Sequence, residues 1–383
     1  MISRDITPKL VYLASKFPIV TLTGPRQSGK STLLKNLFSE YRYVSLENPD
    51  LRELATNDPN GFLATYSNKV ILDEIQRVPS LFSYLQTHVD NVGEEGMYLL
   101  AGSQNFQLMQ GISQSLAGRT ALLKLLPFSR RELNEADRLP TTIDDQIFKG
   151  FYPRIYDKDI APTDYYPAYI QTYVERDVRD ILKVTDLNKF IKFIRLGAGR
   201  IGQILNMTAL ANETGISAST AEVWMSVLEA SYICYRLEPN YNNYNKRVIK
   251  SPKLYFYDTG LAANLLGLTS SEQLATFYMR GALFENLVIN QFIKTSYNNG
   301  VTPDLTFWRD SQGNEIDLIN TADLKMWAYE IKSGLTFNRD FFKGLEKWGK
   351  LSDTPARQLA VIYGGDEDFS TSQGSVIGFQ KTF

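Results

Sequence analysis

GPRQSGKS, residues 24–31, decides the fold of the first half of this chain. It follows FPIVTLTG (17–24), a β-branched run typical of a buried strand, and precedes TLLKNLF, which is typical of a helix. A glycine-containing turn in this position points its backbone N–H groups, with those of the helix N-terminus, at one anion. The stretch therefore predicts a phosphate-binding loop in an α/β domain.

Each residue type in this loop has a chemical task. Gly24 and Gly29 permit the tight turn, Lys30 reaches the β- and γ-phosphates, and the Ser31 hydroxyl is offered to Mg²⁺. The predicted nucleotide-binding residues are Gly24, Pro25, Arg26, Gln27, Ser28, Gly29, Lys30, Ser31 and Thr32. The predicted ligands are therefore the phosphates of a nucleotide and Mg²⁺.

A nucleotide-hydrolysing site also needs acids at the end of a second buried strand. KVILDEIQ (69–76) supplies them, with an apolar run followed by Asp73 and Glu74. Asp73 is expected to hold Mg²⁺ through water, and Glu74 to orient or deprotonate the attacking water. Two adjacent acids favour hydrolysis over nucleotide binding alone.

The surrounding sequence alternates between strands and helices, as an α/β sheet requires. Further strands are predicted in 41–48, 96–104 and 120–129, and helices in 51–66 and 80–91. Ser103 and Gln104 end the strand GMYLLAGSQ, where a sensor of the γ-phosphate or of the attacking water is expected. An ordinary strand-ending turn has the same composition.

A catalytic arginine has three candidates. Arg119 precedes the last predicted strand, from where an arginine can reach the site of a neighbouring subunit and stabilise transition-state charge. Arg176 and Arg179 are alternatives, although their spacing and the interleaved acids equally suit a salt-bridged helix.

The middle of the chain predicts helices near 165–205 and then the plan of a winged helix-turn-helix. A short helix (TALANETG) leads to a longer one capped by Ser217 or Ser219, and two strands, YICYRLEP and KLYFYDT, flank a polar arm. Predicted phosphate contacts are Tyr241, Tyr244, Lys246, Arg247, Lys250 and Lys253. The longer helix has no Lys or Arg but carries Glu222 and Glu229, which disfavours base reading in the major groove.

The last third predicts a helix, three strands and a helix, the layout of metal-dependent nuclease cores. Asp317 lies on the second strand (315–320), although Glu315 shares its face and either could be the ligand. Glu330 and Lys332 share one face of the third strand (327–333), and Glu285 lies on the preceding helix. Glu285, Asp317 and Glu330 are predicted metal ligands, and Lys332 is expected to position the attacking water. An exposed hairpin has a similar pattern, and Asp323–Lys325 is assigned to a turn.

Composition sets limits on the whole chain. A net charge of −1 over 383 residues restricts any nucleic-acid contact to a local patch. One cysteine, Cys234, excludes an intramolecular disulfide, and one histidine, His88, leaves little room for histidine catalysis. The absence of a signal-peptide pattern and of a long apolar run predicts a cytoplasmic protein without a membrane partner.

Taken together, these motifs resemble a group of prokaryotic AAA+-type ATPases over residues 15–350. The strings that carry the resemblance are GPRQSGKS, VILDEIQ, AGSQ, SLAGR (115–119), YVERDV, PKLYFYDTG, GALFENLV and the FWRD…EIDL…YEIKSG set. Members have a C-terminal domain of unknown function related to restriction-type nucleases. The resemblance implies ATP hydrolysis by Lys30, Ser31, Asp73 and Glu74, with Mg²⁺. It also favours Arg119 as the catalytic arginine, because SLAGR places it in the position that the family uses.

The predicted fold class is α/β: a P-loop NTPase with an AAA+-like parallel sheet, then a winged-helix module and a PD-(D/E)xK-like domain. The predicted segments are an ATPase domain (1–135), a helical linker or lid (136–204), a winged helix (205–268) and a nuclease-like domain (269–383). The leading hypothesis is a nucleotide-driven switch linked to DNA, which could assemble with itself. The alternatives are an ATP-regulated metal-dependent DNA nuclease and a nucleotide-regulated scaffold, binding DNA or protein, with little turnover.

Overall fold

The amino-terminal part of the chain is built around a parallel β-sheet. The computed structural model describes residues 2–103, 108, 111–112, 114–174, 186–240, 249–322 and 324–382. Within these residues the sheet consists of β1 Ile19–Thr23, β2 Arg42–Ser45, β3 Val70–Asp73, β4 Tyr98–Gly102 and β5 Thr120–Lys124. Their order is β2-β3-β4-β1-β5, and every pairing is parallel. Because β4 lies between β1 and β3, the segments that follow these three strands meet at one edge of the sheet.

Helices cover both faces of this sheet. They are α1 Thr7–Ala14, α2 Lys30–Leu37, α3 Pro49–Asn57, α4 Pro59–Thr65 and α5 Leu81–Val92, with a 3₁₀ turn at Ile75–Arg77. Apolar side chains of α1 and α2 pack in one buried cluster, and those of α3, α4 and α5 pack in another. The prediction of a single helix over 51–66 is wrong. Asp58 accepts a hydrogen bond from Gly61 N, and Pro59 occupies the first turn, so a new helix begins there.

A helical segment follows the first sheet. It contains α6 Arg130–Glu135, α7 Ile143–Lys149, α8 Pro153–Asp157, α9 Pro162–Tyr169 with a π-helical turn at Ile170–Val174, and α10 Leu187–Ala198. Tyrosine rings fill its interior, where Tyr152 contacts Tyr165, Tyr166 and Tyr169. The predicted helical content near 165–205 is confirmed for α9 and α10, while Arg176 and Arg179 lie outside the described residues.

The predicted helix pair and hairpin are present. Helix α11 spans Met207–Thr214, α12 spans Ala218–Ala230, β6 spans Cys234–Pro239 and β7 spans Lys253–Phe256. Ser217 is the N-cap of α12, since its hydroxyl accepts a hydrogen bond from Thr220 N. Strands β6 and β7 pair antiparallel, and the arm between them (241–248) lies outside the described residues, including Tyr241, Tyr244, Lys246 and Arg247.

The hairpin is part of a larger carboxy-terminal sheet. The remaining elements are α13 Thr259–Leu265, α14 Arg280–Asn298, β8 Leu305–Arg309, β9 Glu315–Ala322, β10 Lys325–Lys332, α15 Lys343–Ser352, β11 Leu359–Tyr363, β12 Phe369–Ser370, β13 Ser375–Gly378 and α16 Phe379–Thr382. Short 3₁₀ turns occupy Ser271–Thr276, Arg339–Phe342 and Ala356–Gln358. Across the described residues, the strand order is β12-β13-β11-β10-β9-β8-β6-β7. The hairpin therefore joins, through β8, the sheet whose strands β9 and β10 carry predicted acids.

Buried contacts join the two sheets. Lys294 on α14 donates to the Phe128 carbonyl at 2.7 Å, and Arg130 donates to the Phe379 carbonyl at 2.6 Å. Burial lowers the pKa of Lys294 to about 8. One apolar cluster runs from Leu126 to Phe379. The predicted segment boundaries stay predictions. The boundary predicted at residue 268 falls between β6 and β8, although these two strands pair with each other in one sheet.

Candidate functional site

The loop after β1 has the backbone geometry of a phosphate cradle. Gly24 and Gly29 have φ angles of 151° and 92°, in the region that favours glycine. A Cβ atom on Gly24 would lie 2.1 Å from the Leu125 carbonyl oxygen, so the loop closes against the end of β5 only with glycine there. Helix α2 begins at Lys30, directly after Gly29, so its free N–H groups face the loop.

Lys30 places a positive charge inside this loop. Its ammonium donates to the carbonyl oxygens of Gly24 at 2.9 Å and Pro25 at 2.8 Å, and the residue is buried. Pro25 and Ser28 are buried, while Arg26 and Gln27 are half-buried. The sequence therefore predicted the loop and its lysine, and the structure brings them together.

Ser31 and Asp73 meet at the entrance of the cradle. The Ser31 hydroxyl donates to Asp73 Oδ2 at 2.7 Å, and the Tyr43 hydroxyl donates to the same oxygen at 2.6 Å. Burial and the neighbouring Asp73 raise the pKa of Tyr43, which keeps the phenol protonated as a donor. A hydroxyl and a carboxylate are hard oxygen ligands of the kind that Mg²⁺ takes beside nucleotide phosphates. Sequence reasoning missed Tyr43, although its strand, β2, pairs with β3.

Glu74 is held by two polar side chains. The Ser103 hydroxyl donates to Glu74 Oε1 at 3.1 Å, and Gln76 Nε2 donates to Glu74 Oε2 at 2.5 Å. Glu74 itself has a φ of 55°, an uncommon backbone conformation for a residue other than glycine. The predicted sensor Ser103 thus touches the predicted base, whereas Gln104 lies outside the described residues. Gln76 was missed, and its only signal was its place two residues after Glu74.

The predicted catalytic arginine lies far from this chain's own loop. Arg119 precedes β5, and its carbonyl accepts from Ile19 N at the amino end of β1, the opposite edge of the sheet from Lys30. Its guanidinium donates to both carboxylate oxygens of Asp90, at 2.6 and 2.8 Å. Arg119 therefore lies at the opposite edge of the sheet from the phosphate loop of its own chain, where it is held in an ion pair with Asp90.

A cavity of about 310 Å³ adjoins the loop. The lining residues are Ile2, Arg4, Gln27, Gly29, Thr32, Leu33, Phe128, Pro153, Arg154, Asp157 and Lys158. Arg4 is its most constrained member, because its guanidinium donates to the carbonyls of Ser28 at 2.8 Å and Leu126 at 2.6 Å and to Glu132 at 3.1 Å. Arg4 carried no motif, so sequence reasoning could not select it. The volume lies within the usual range of small-molecule sites.

The predicted carboxy-terminal residues also converge. Lys332 lies 2.5 Å from Glu330 Oε1 and 3.9 Å from Asp317 Oδ2, and Asp317 accepts a hydrogen bond from Ile331 N at 2.8 Å. Glu285 reaches the same cluster from α14 and accepts a hydrogen bond from the hydroxyl of Tyr255 on β7. We call the group Glu285, Glu315, Asp317, Glu330, Lys253 and Lys332 the acid cluster.

Two of these predictions need correction. Lys253 was predicted to contact DNA phosphates, but it is 1% exposed and its ammonium pairs with Glu285, at 3.1 Å, and with Glu315. Lys250 alone among the described candidates is exposed. Within the part of the chain that the structure describes, no group of three or more His, Cys, Asp or Glu side chains has the geometry to hold a metal ion. The predicted metal ligands therefore meet without forming such a site.

Burial shifts the titration of two acids in the cluster. It raises the pKa of Glu330 to about 8, with a further contribution from Asp317, and raises that of Glu285 to about 7. Glu330 Oε2 is buried without a hydrogen-bond partner among the described residues. A neutral carboxyl at Glu330 suits this environment better than a charged one.

We therefore expect stability to fall as the pH rises. Between the unfolded pKa near 4.5 and the folded value near 8, the folded chain holds a proton on Glu330 that the unfolded chain has lost. The free energy of unfolding then decreases by up to about 1.4 kcal/mol per pH unit for this carboxyl. Urea midpoints measured from pH 5 to 8 should show a smaller decline in Glu330→Gln than in the wild type. Parallel pH profiles for the two proteins would contradict the assignment.

The acids of the predicted recognition helix have internal partners. Arg236 on β6 donates to Glu229 at 2.7 Å and to Glu222 at 3.3 Å, both on α12. These ion pairs fix the helix to the hairpin. Helix α12 itself contains no Lys or Arg, as the sequence shows.

A parallel sheet whose first strand leads into a lysine-containing phosphate loop, with Asp73 and Glu74 at the end of the strand one removed from it, defines an AAA-type P-loop nucleotide-binding domain. A family model described as an AAA domain matches residues 16–134. Two domains of unknown function match further along, DUF8612 over 140–272 and DUF4143 over 280–381.

The chain has relatives that match it over nearly its whole length. It is 30% identical over 374 residues to Uncharacterized protein Rv2008c of Mycobacterium tuberculosis, covering 96% of this chain and 81% of the relative. Uncharacterized protein Mb2031c of Mycobacterium bovis matches with the same identity and coverage. The chain therefore belongs to the family of these mycobacterial proteins.

Solved structures are more distant. The Walker-type ATPase paby2304 of Pyrococcus abyssi shares 13% identity, with a TM-score of 0.45 over 69% of this chain and 96% of that chain. AMPPCP-bound DnaA from Aquifex aeolicus shares 16% identity, with a TM-score of 0.31 over 58% and 85%. The assignment here rests on the loop and the family match. No helix in the described ranges has the length and apolar character to cross a membrane.

Proposed function

We propose that this protein hydrolyses ATP as an AAA-type, nucleotide-driven switch. The observation that carries the proposal is the placement of Lys30, Asp73 and Glu74 at one edge of the sheet, each held by a hydrogen bond at its functional atom. The four groups needed for phosphoryl transfer to water are a phosphate cradle, a cation, a metal-ligand pair and a base, and this edge carries all four.

The roles follow from the contacts. Lys30 neutralises charge on the transferred phosphoryl group, and Ser31 and Asp73 would hold Mg²⁺. When bound, Mg²⁺ supplies further positive charge toward the phosphate oxygens. Glu74 accepts the proton of the attacking water, and Ser103 holds the carboxylate in place at 3.1 Å.

The adjoining cavity supports a nucleotide rather than free phosphate as the ligand. It is lined by Gly29 of the loop and Thr32 of α2, and it extends to Pro153 and Arg154. Steady-state phosphate release from ATP with Mg²⁺ tests the proposal, with omission of Mg²⁺ as the control. Absence of release, with DNA and without it, would overturn hydrolysis and leave a nucleotide-regulated scaffold.

We predict that Arg119 acts on a neighbouring subunit. An arginine supplied in trans contributes about 10³–10⁵ to the rate of nucleotide hydrolysis. Arg119→Ala and Glu74→Gln should each be inactive alone, but a mixture should recover activity because some interfaces pair an intact Arg119 with an intact Glu74. Phosphate release measured against the mixing ratio checks this. A strictly additive response would contradict a shared site.

A link to DNA is the second candidate function. The helix pair α11–α12 followed by the β6–β7 hairpin supports it, with Lys250 exposed at the base of the arm. We expect contacts to phosphates only, from Lys246, Arg247 and Lys250, because α12 presents no basic side chain. Metal-dependent cleavage is the weaker alternative, since Lys253 lies among the acids.

The DNA link makes its own prediction. Replacing Lys246, Arg247 and Lys250 by alanine should weaken duplex binding equally for all sequences. The slope of log K against log salt should fall by about 0.9 for each phosphate contact removed. Fluorescence anisotropy over a salt series measures both, with Lys325→Ala, at an exposed position at the start of β10, as the matched control. An unchanged slope would exclude the arm from the interface.

A further inference from the structure

Lys253 is buried at a position where its charge cannot be solvated. It is 1% exposed, and its ammonium pairs with Glu285 at 3.1 Å and with Glu315. Burial alone would lower the pKa of Lys253, but the carboxylates of Glu285, Asp317 and Glu315 together raise it above its ordinary range. The lysine is therefore held as a cation by acids from two different elements, α14 and β9.

Three cations already engage the carboxylates of the cluster. Lys253 pairs with Glu285 and Glu315, and Lys332 lies 2.5 Å from Glu330 Oε1. Arg309 adds a third cation through Glu315 at 3.1 Å. A divalent ion would have to compete with these ion pairs.

We propose that Lys253 is the internal cation of the acid cluster. Its ammonium takes the place that a divalent metal would occupy between Glu285 and the acids of β9, so the cluster is a structural ion-pair network. The carboxy-terminal domain accordingly does not cleave nucleic acid by metal chemistry.

A metal could enter only if Lys253 left. The lysine lies on β7, whose register with β6 pairs it opposite Leu237, and its ammonium lies 5.4 Å from the centroid of the buried Phe307 ring. Withdrawal from the carboxylates would leave a buried ammonium without its ion-pair partners, which is strongly unfavourable. The same pairing anchors the hairpin of the helix pair to helix α14, so the network joins two parts of the chain.

Metal binding separates the alternatives. Free Mn²⁺ is titrated by electron paramagnetic resonance against wild type and Asp317→Asn, both full-length. We expect identical curves, because the phosphate-loop acids are present in both and the cluster binds none. A wild-type site that Asp317→Asn removes would overturn the proposal.

Removing the lysine should create the site. Lys253→Met retains the length of the stem, and we expect it to bind one additional Mn²⁺ per chain, with a thermal midpoint that rises with Mn²⁺. Lys325→Met, at an exposed position at the start of β10, is the matched control and should bind like the wild type. A folded Lys253→Met without the additional site would overturn the assignment.

Should Lys253→Met not fold, Glu285→Gln decides the matter in the absence of divalent ions. An ammonium that loses a carboxylate partner becomes less stable, so the thermal midpoint should fall. If the acids instead repelled one another in a metal-free site, the same substitution would reduce that repulsion and raise the thermal midpoint. A rise of the midpoint would therefore overturn the proposal.

Discussion

Replacing Glu74 by glutamine is expected to lower kcat for ATP hydrolysis by about 10²–10⁴, the usual contribution of a general base. Glutamine has the same shape but cannot accept a proton from water. The Ser103 hydroxyl can still donate to the amide oxygen, so the side chain should keep its place. ATP affinity, measured by equilibrium binding of a fluorescent analogue, should change little.

The controls for Glu74→Gln separate chemistry from structure. Glu40→Gln removes a carboxylate from an exposed turn and should leave phosphate release unaltered. Ser103→Ala frees one oxygen of Glu74, so a smaller loss in kcat with an unchanged KM is expected. If Glu74→Gln hydrolysed ATP at the wild-type rate, Glu74 would not be the base.

The site at the first sheet could be predicted because its chemistry is local in sequence. Eight consecutive residues, 24–31, contain the loop and its lysine, and 70–74 contain the strand and both acids. What could not be predicted is which side chains support them. Tyr43 reaches Asp73 from β2, and Arg4 reaches Ser28 from before α1. Neither residue type is distinctive, and both contacts depend on the strand order rather than on spacing.

Only part of the acid cluster in the carboxy-terminal sheet could be predicted from the sequence. Alternation along β9 and β10 correctly brought Asp317, Glu330 and Lys332 together, since residues two apart share a face. Lys253 was assigned to an exposed basic arm because it follows Lys246, Arg247 and Lys250 in the chain. Its burial arises because β6 pairs with β8, which carries β7 to the edge of the acidic sheet. Lys253 lies on a separate hairpin, so the sequence around the acids could not predict that it pairs with them.

Replacing Lys30 by alanine is the second large effect. The ammonium is the positive side chain inside the loop, and removing one such group from a developing charge costs about 2.7–4 kcal/mol. We therefore expect kcat/KM for ATP to fall by about 10²–10³, measured by phosphate release at subsaturating ATP. Lys16→Ala, an exposed lysine after α1, is the matched control and should retain wild-type kinetics.

Lys30 also holds the loop through hydrogen bonds, so its substitution affects both the charge of the site and the structure of the loop. Because the ammonium donates to the carbonyls of Gly24 and Pro25, its loss leaves two loop acceptors unbonded as well as removing charge. Lys30→Met and Lys30→Ala should therefore lose activity alike while their circular dichroism remains that of the wild type. Lys30→Arg keeps the charge, but a planar fork does not reproduce a compact ammonium between two carbonyls, so partial rescue is expected. Full activity in Lys30→Met would mean that the loop binds phosphate by its backbone alone, and the lysine would then serve only to hold the loop closed.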